Sequence, residues 1–74
     1  MEQKVIEVLK EVLEIENREL QLTDHFRDYA EWSSLTYLSL IAELDEAFGV
    51  AIEGPEFKKL ITVGDLVEAI KNKQ

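Results

Sequence analysis

Apolar positions recur along this chain with helical spacing in three stretches, separated by one long segment with no period at all. In the first stretch, residues 3–15, Val5, Ile6, Val8, Leu9, Val12, Leu13 and Ile15 fall on one half of a helical wheel. Lys4, Glu7, Lys10, Glu11 and Glu14 fall on the other half, which predicts an amphipathic helix with a core-facing stripe. The run from Thr36 to Phe48 predicts a second helix of about four turns. Leu40, Leu44, Tyr37, Ile41 and Phe48 share one broad arc, while Leu35, Leu38 and Ala42 lie opposite among Thr36, Ser39, Asp45 and Glu46. Apolar residues on both sides of a helix mean that it is central to the fold or carries a docking patch. The last stretch opens at Thr62-Val63-Gly64-Asp65, a capping-box variant, and continues with Val63, Leu66, Val67 and Ile70 on one stripe. Lys71 and Lys73 suit the negative end of its dipole.

The joints between these stretches carry their own signals. Ser33 is a good N-cap for the second helix, which makes Ser34 its first residue. Gly49 reads as the residue that closes that helix. Gly54-Pro55 starts a turn and a brief helix through Leu60, with Phe57, Leu60 and Ile61 supplying core contacts. From Glu16 to Trp32 no period is sustained. A segment of that length signals a functional loop or a missed element. Leu20, Leu22, Phe26, Tyr29 and Trp32 are spaced to dip into a core, and one short helical turn is expected after Thr23 or Asp24, capped by one of them. The expected architecture is one all-α domain spanning 1–74, a small bundle of three main helices plus one short helix around the second.

Composition narrows the function classes. Seventy-four residues bury only about 60% of the unfolded surface, so elaborate catalytic machinery has little room. There is no cysteine, hence no disulfide framework and no thiolate metal site. His25 is the only histidine; it reads as an exposed loop side chain, and without a second soft ligand a tight transition-metal site is not expected. No EF-hand spacing is present. A Ser34–His25 pairing for hydrolysis lacks any nucleophile-elbow context. No secretory leader is visible, no apolar run approaches a membrane span, and a cytoplasmic monomer is expected. Sixteen acidic against eight basic residues give a net charge of −8. That field repels nucleic acid and favours basic protein surfaces.

The stretch Trp32-Ser33-Ser34-Leu35 resembles the Asp-Ser-Leu signature of acyl carrier proteins. The resemblance runs on through Leu38, Leu40, Leu44, Glu46, Phe48, Val50 and Ile52 to Thr62-Val63-Gly64-Asp65-Leu66-Val67. It implies that Ser34 carries a 4′-phosphopantetheine arm, whose thiol holds acyl groups as thioesters for delivery to other enzymes. The protein itself would not be an enzyme. The implied partners are a phosphopantetheinyl transferase and acyl-loading and acyl-transferring enzymes with basic surfaces. Leu35, Leu38 and Ala42, ringed by Glu43, Asp45 and Glu46, read either as their docking patch or as packing beneath the 16–32 loop. The family usually has aspartate before the modified serine; Ser33 stands there instead, and charge on the helix is concentrated in its later half, as in a specialised stand-alone carrier. An attached acyl chain is expected to part Leu40, Ile41 and Leu44 from Phe26 and Tyr29, with Trp32 at the mouth. The alternative is an acidic helical interaction adaptor on the same fold without a prosthetic group.

Overall fold

The computed structural model describes residues 2–74. Four α-helices follow one another: α1 Glu2–Leu13, α2 Ser34–Phe48, α3 Gly54–Phe57 and α4 Val63–Lys73, with a 3-10 turn at Phe26–Asp28 in the long α1–α2 connection. The expected helical bundle, three main helices and one short one, is the architecture found. Val5, Leu9, Leu13, Leu40, Leu44, Leu66 and Ile70 form its centre, with Val50 and Ile52 of the α2–α3 connector closing the side.

α1 ends before Ile15, at Leu13, because Glu14 turns left-handed at φ 58°. The Glu14 amide donates to the Glu11 carbonyl and the Ile15 amide to the Lys10 carbonyl, at 3.2 and 2.9 Å. These are the two bonds of a Schellman ending, with the following apolar residue, Ile15, buried against the core. A non-glycine residue in this conformation costs about 1–2 kcal/mol, and the buried Ile15 is what the strain secures.

The 14–33 segment is an ordered loop rather than a missed helix. Leu20 and Phe26 are buried within it. Burying a side chain of that size is worth about 1.5–3 kcal/mol, against about 0–1 for an exposed ion pair. The loop is therefore held by these two residues more than by the Arg18–Glu31 bridge at 3.0 Å that spans it. Two backbone bonds tie it to the start of α4: Val63 N–H to the Asp24 carbonyl at 2.9 Å and Gly64 N–H to the Leu22 carbonyl at 2.8 Å. A Cβ on Gly64 would come within 3.1 Å of that same Leu22 oxygen, so the close approach depends on glycine there.

Three details differ from expectation. The short turn is entered from His25, whose side chain makes no cap bond. Asp24 is drawn away from capping, because its carboxylate accepts from the Gln21 amide and the Tyr29 hydroxyl instead, at 3.0 and 2.8 Å. α3 stops at Phe57 instead of continuing to Leu60, and begins at Gly54 with Pro55 second. Leu22 and Ile61 do not enter the core; they stand 39% and 52% exposed, because the loop and the α3–α4 turn commit their backbones to the α4 N-terminus instead.

Candidate functional site

Ser33 and Ser34 are neighbours with different tasks. Ser33 takes extended backbone angles and caps α2: its Oγ accepts from the Thr36 amide at 3.3 Å, while the Ser33 amide donates to Thr36 Oγ1 at 2.7 Å. Threonine thus fills the place of the usual glutamate in a capping box. Ser34 is the first residue of α2, is exposed, and its hydroxyl has no hydrogen-bond partner among the described residues. It stands at the positive end of a fifteen-residue helix. Its amide, at the first position of a helix, has no partner within that helix.

Opposite-facing Leu35 and Leu38 do not pack beneath the loop. They are 72% and 62% exposed, and Ala42, Asp45 and Glu46 are exposed with them, with Glu43 half-buried. Tyr37, Ile41 and Phe48 instead lean on the core around buried Leu40 and Leu44. The first turn of α2 contains no acidic residue, so negative charge on this helix begins at Glu43.

A cleft of about 410 Å³ opens directly beside Ser34, walled by Arg27, Trp32, Tyr37, Phe57 and Lys58. It lies between the start of α2 and α3. The anticipated seam, Leu40, Ile41 and Leu44 against Phe26 and Tyr29, contributes none of its walls. The reason is packing: Phe26, Leu40 and Leu44 have no exposed surface and Phe57 is buried, whereas Trp32 and Tyr37, beside the one-turn α3, are only half-buried. Trp32 stacks on Phe57 with centroids 6.1 Å apart and planes 7° from parallel; Phe26 meets both edge-on at 5.2 and 5.5 Å. Tyr37 meets Phe57 edge-on at 4.9 Å. Such pairs add about 0.5–1.5 kcal/mol each beyond area burial, so the cleft has a firm aromatic floor.

Arg27 pins that floor. Its guanidinium lies over Phe26 and Phe57, 4.8 and 5.0 Å from their centroids. One nitrogen donates to the Phe57 carbonyl at 2.6 Å, which also accepts the Leu60 amide, and the other donates to the Leu60 carbonyl in the connection after α3. Sequence patterning did not reveal Arg27, Phe57 and Lys58 as parts of one site, because the bonded partners lie 30 and 33 residues apart and no local period connects them.

The titratable groups near the site are structural. Bonds from the Gln21 amide and the Tyr29 hydroxyl hold the Asp24 carboxyl below its ordinary value. Burial raises the Tyr29 phenol, and its bond to Asp24 raises it further. The Glu31 carboxyl is lowered by its bond from Arg18. His25 sits exposed, 3.6 Å from Asp28, and does not face Ser34's cleft. No group of three or more metal-ligating side chains occurs among the described residues. No helix among them is long and apolar enough to cross a membrane.

The sequence profile of the family described as "Phosphopantetheine attachment site" matches residues 3–70. The chain is 35% identical over 72 residues to an acyl carrier protein of Rubrobacter xylanophilus, covering 97% of this chain and 89% of the relative. It is 36% identical over 66 residues to an acyl carrier protein of Acidothermus cellulolyticus, covering 89% and 79% respectively. The solution structure of holo acyl carrier protein from Geobacter metallireducens superposes with a TM-score of 0.85 over 97% of this chain and 83% of that one. At 24% identity, that match speaks for the fold alone. Family profile and relatives agree, and the chain belongs to the acyl carrier protein family, whose members bear a covalent phosphopantetheine group.

Proposed function

We propose that Ser34 is the attachment residue and that this protein carries acyl groups on a 4′-phosphopantetheine arm there. The observation that carries the reading is the division of labour between the two serines. Ser33 Oγ is committed to the helix cap, while Ser34 Oγ is exposed and without a partner. The residues present fit the group: a free hydroxyl to be esterified, and helix amides beside it suited to a phosphate. When attached, the arm supplies the thiol that holds cargo as a thioester, a group this cysteine-free chain cannot supply itself.

The chain's own contribution is presentation. Ser34 stands clear of the core at the end of a helix, and tethering there raises the local concentration of cargo at a docked enzyme. Leu35, Leu38 and Ala42, with Glu43, Asp45 and Glu46 behind them, form the docking face for the transferase and for acyl-handling enzymes with basic surfaces. Support comes from two leucines left in solvent on the helix that starts at Ser34. Exposed side chains of that size, next to a carboxylate cluster, suit a partner that is apolar in the middle and basic at the rim. On this reading the protein is a carrier and not a catalyst, and residues 1–74 act as one carrier domain.

The test is the intact mass after incubation with a phosphopantetheinyl transferase and coenzyme A. The wild-type chain should gain one arm, mapped to the peptide containing Ser34, and Ser34→Ala should gain none. Modification at Ser33, or none with several transferases, would leave the adaptor alternative standing.

A further inference from the structure

Two grooves flank the first turns of α2, and they carry opposite charge. On the α3 side, the cleft beside Ser34 has Arg27 and Lys58 in its walls and no carboxylate. On the α1 side, a groove of about 370 Å³ has Glu11, Glu14 and Glu43 in its walls and no cation. Helical geometry separates the two. At about 100° per residue, Tyr37 lies about 60° round from Ser34 in one direction, while Leu35, Ser39 and Glu43 lie about 100–180° round in the other. Each groove therefore uses a different side of the same helix. Its charge is set largely by what stands across from that side: Arg27 of the 3-10 turn and Lys58 after α3 in one case, the end of α1 in the other.

None of these charges is neutralised by a neighbour. The ion pairs among the described residues are Arg18–Glu31, His25–Asp28 and Lys73–Glu56. Arg27 is half-buried and tied to two carbonyls, which leaves exposed Lys58 as the cation open to a partner. Glu11 and Glu14 are exposed as well. Leu35 and Leu38 stand in solvent on the same helix, Leu35 in the wall of the acidic groove itself. An apolar middle with unpaired charge at its edges is the make-up of a protein interface, and the signs state what covers it: a basic side chain on the α1 side and an acidic one on the α3 side. An enzyme that acts on cargo meets the far end of the arm and can stand off from α2. The enzyme that acts on Ser34 Oγ must cover both flanks.

Resting on the reading of Ser34 as the attachment residue, we propose that the phosphopantetheinyl transferase docks across this divide, with a basic side chain in the α1–α2 groove against Glu11 and Glu14 and an acidic side chain facing Lys58. Glu11 and Glu14 supply from α1 the negative charge that the first turn of α2 lacks. Lys58 fixes which way round the enzyme sits, because a uniformly basic docking surface meets repulsion there.

The experiment measures kcat/KM for pantetheinylation of the apo chain by a transferase that modifies the wild-type protein, with coenzyme A as donor and intact mass as the readout. In that reaction Ser34 Oγ gives up its proton and forms the phosphoester, and adenosine 3′,5′-bisphosphate leaves. Glu11→Lys should lower kcat/KM about tenfold at low salt, through the KM for the carrier. Glu68→Lys, the same change of charge at an exposed position of α4, should leave it unchanged. Lys58→Glu is the deciding variant: docking across two signs makes it slower by a similar factor, whereas a uniformly basic partner makes it faster. Lys58→Gln should give an intermediate loss, and all these losses should fade at about 0.5 M sodium chloride. Glu14→Gly should also slow modification while its urea midpoint rises, which separates lost docking from lost fold. Faster modification of Lys58→Glu, an unchanged rate for Glu11→Lys, or an equal loss in Glu68→Lys would overturn the proposal. So would a raised KM for coenzyme A in place of a raised KM for the carrier, because Lys58 would then serve the phosphates of coenzyme A. No mass gain with any transferase overturns the carrier reading together with the proposal, whereas a mass gain with rates outside this pattern overturns the proposal alone.

Discussion

Ser33 and Ser34 have the same side chain, and only their places relative to the first turn of α2 separate them. Ser33→Ala removes the acceptor for the Thr36 amide and should cost about 1 kcal/mol of stability, read as a lower urea midpoint with an unchanged slope. Ser34→Ala should leave that midpoint nearly where it was, since the Ser34 hydroxyl bonds to nothing among the described residues. Ser33→Asp preserves capping, as both residues rank high in that role, and adds a negative charge beside Ser34. Helix content should hold while pantetheinylation by a transferase accustomed to the family's aspartate becomes faster. Equal rates for the wild-type and Ser33→Asp proteins would show that the enzyme does not read this charge. Glu14 offers a different kind of test. Its left-handed backbone at φ 58° is one that glycine adopts freely, and glycine gives back part of the gain through a more flexible unfolded chain. Glu14→Gly should therefore stabilise by about 0.5–1 kcal/mol, visible in the same urea titration; a loss would mean that the Schellman ending is not strained.

Among the elements, α4 is the one most plainly tuned by a titratable side chain. Asp65 accepts from the Thr62 and Ile61 amides at 3.1 and 3.0 Å while Thr62 Oγ1 accepts from the Asp65 amide. The backbone bonds from Thr62 and Ile61 hold its carboxyl below the ordinary aspartate value. A group with a lowered folded-state pKa contributes its stability in full above the unfolded value, about 3.9 for aspartate. It loses that contribution as pH falls through the folded value. Asp65→Asn keeps an oxygen for the amides and loses the charge. Its melting temperature should lie below wild type at pH 7, and the gap should close as pH drops from about 4 downward. A gap that stays constant would mean that the charge of Asp65 contributes nothing and the oxygen alone makes the cap.

At the scale of the whole molecule, the charge of −8 sits within principal extents of 29 × 24 × 21 Å. The screening length is about 30 Å at 0.01 M salt and about 8 Å at 0.15 M. At low salt every carboxylate therefore feels every other, and at physiological salt only near neighbours do. Salt also weakens Arg18–Glu31 and Lys73–Glu56, but exposed pairs are worth about 0–1 kcal/mol each. Relief of self-repulsion should win, and the melting temperature should rise with sodium chloride over this range. A fall would place more stability in those two bridges than surface pairs ordinarily supply.

What the chain made legible by itself was whatever is written locally. Helical period placed the core faces of α1, α2 and α4. The residues at the joints placed the Ser33 cap, the Thr62–Asp65 box and the closure at Gly49, because each depends on neighbours within a few positions. The resemblance around Ser34 pointed to the family that profile and relatives then established. Tertiary structure decided the rest. Whether Leu35 and Leu38 lie under the loop or in solvent depends on where residues 14–33 travel, and that path is set by Phe26, Leu20 and two backbone bonds to α4. The cleft beside Ser34 was likewise illegible, since its walls come from the 3-10 turn, the start of α2 and α3, joined by an arginine reaching carbonyls 30 and 33 residues away. Period and capping report on a residue's own helix; a groove between elements exists only once they have met.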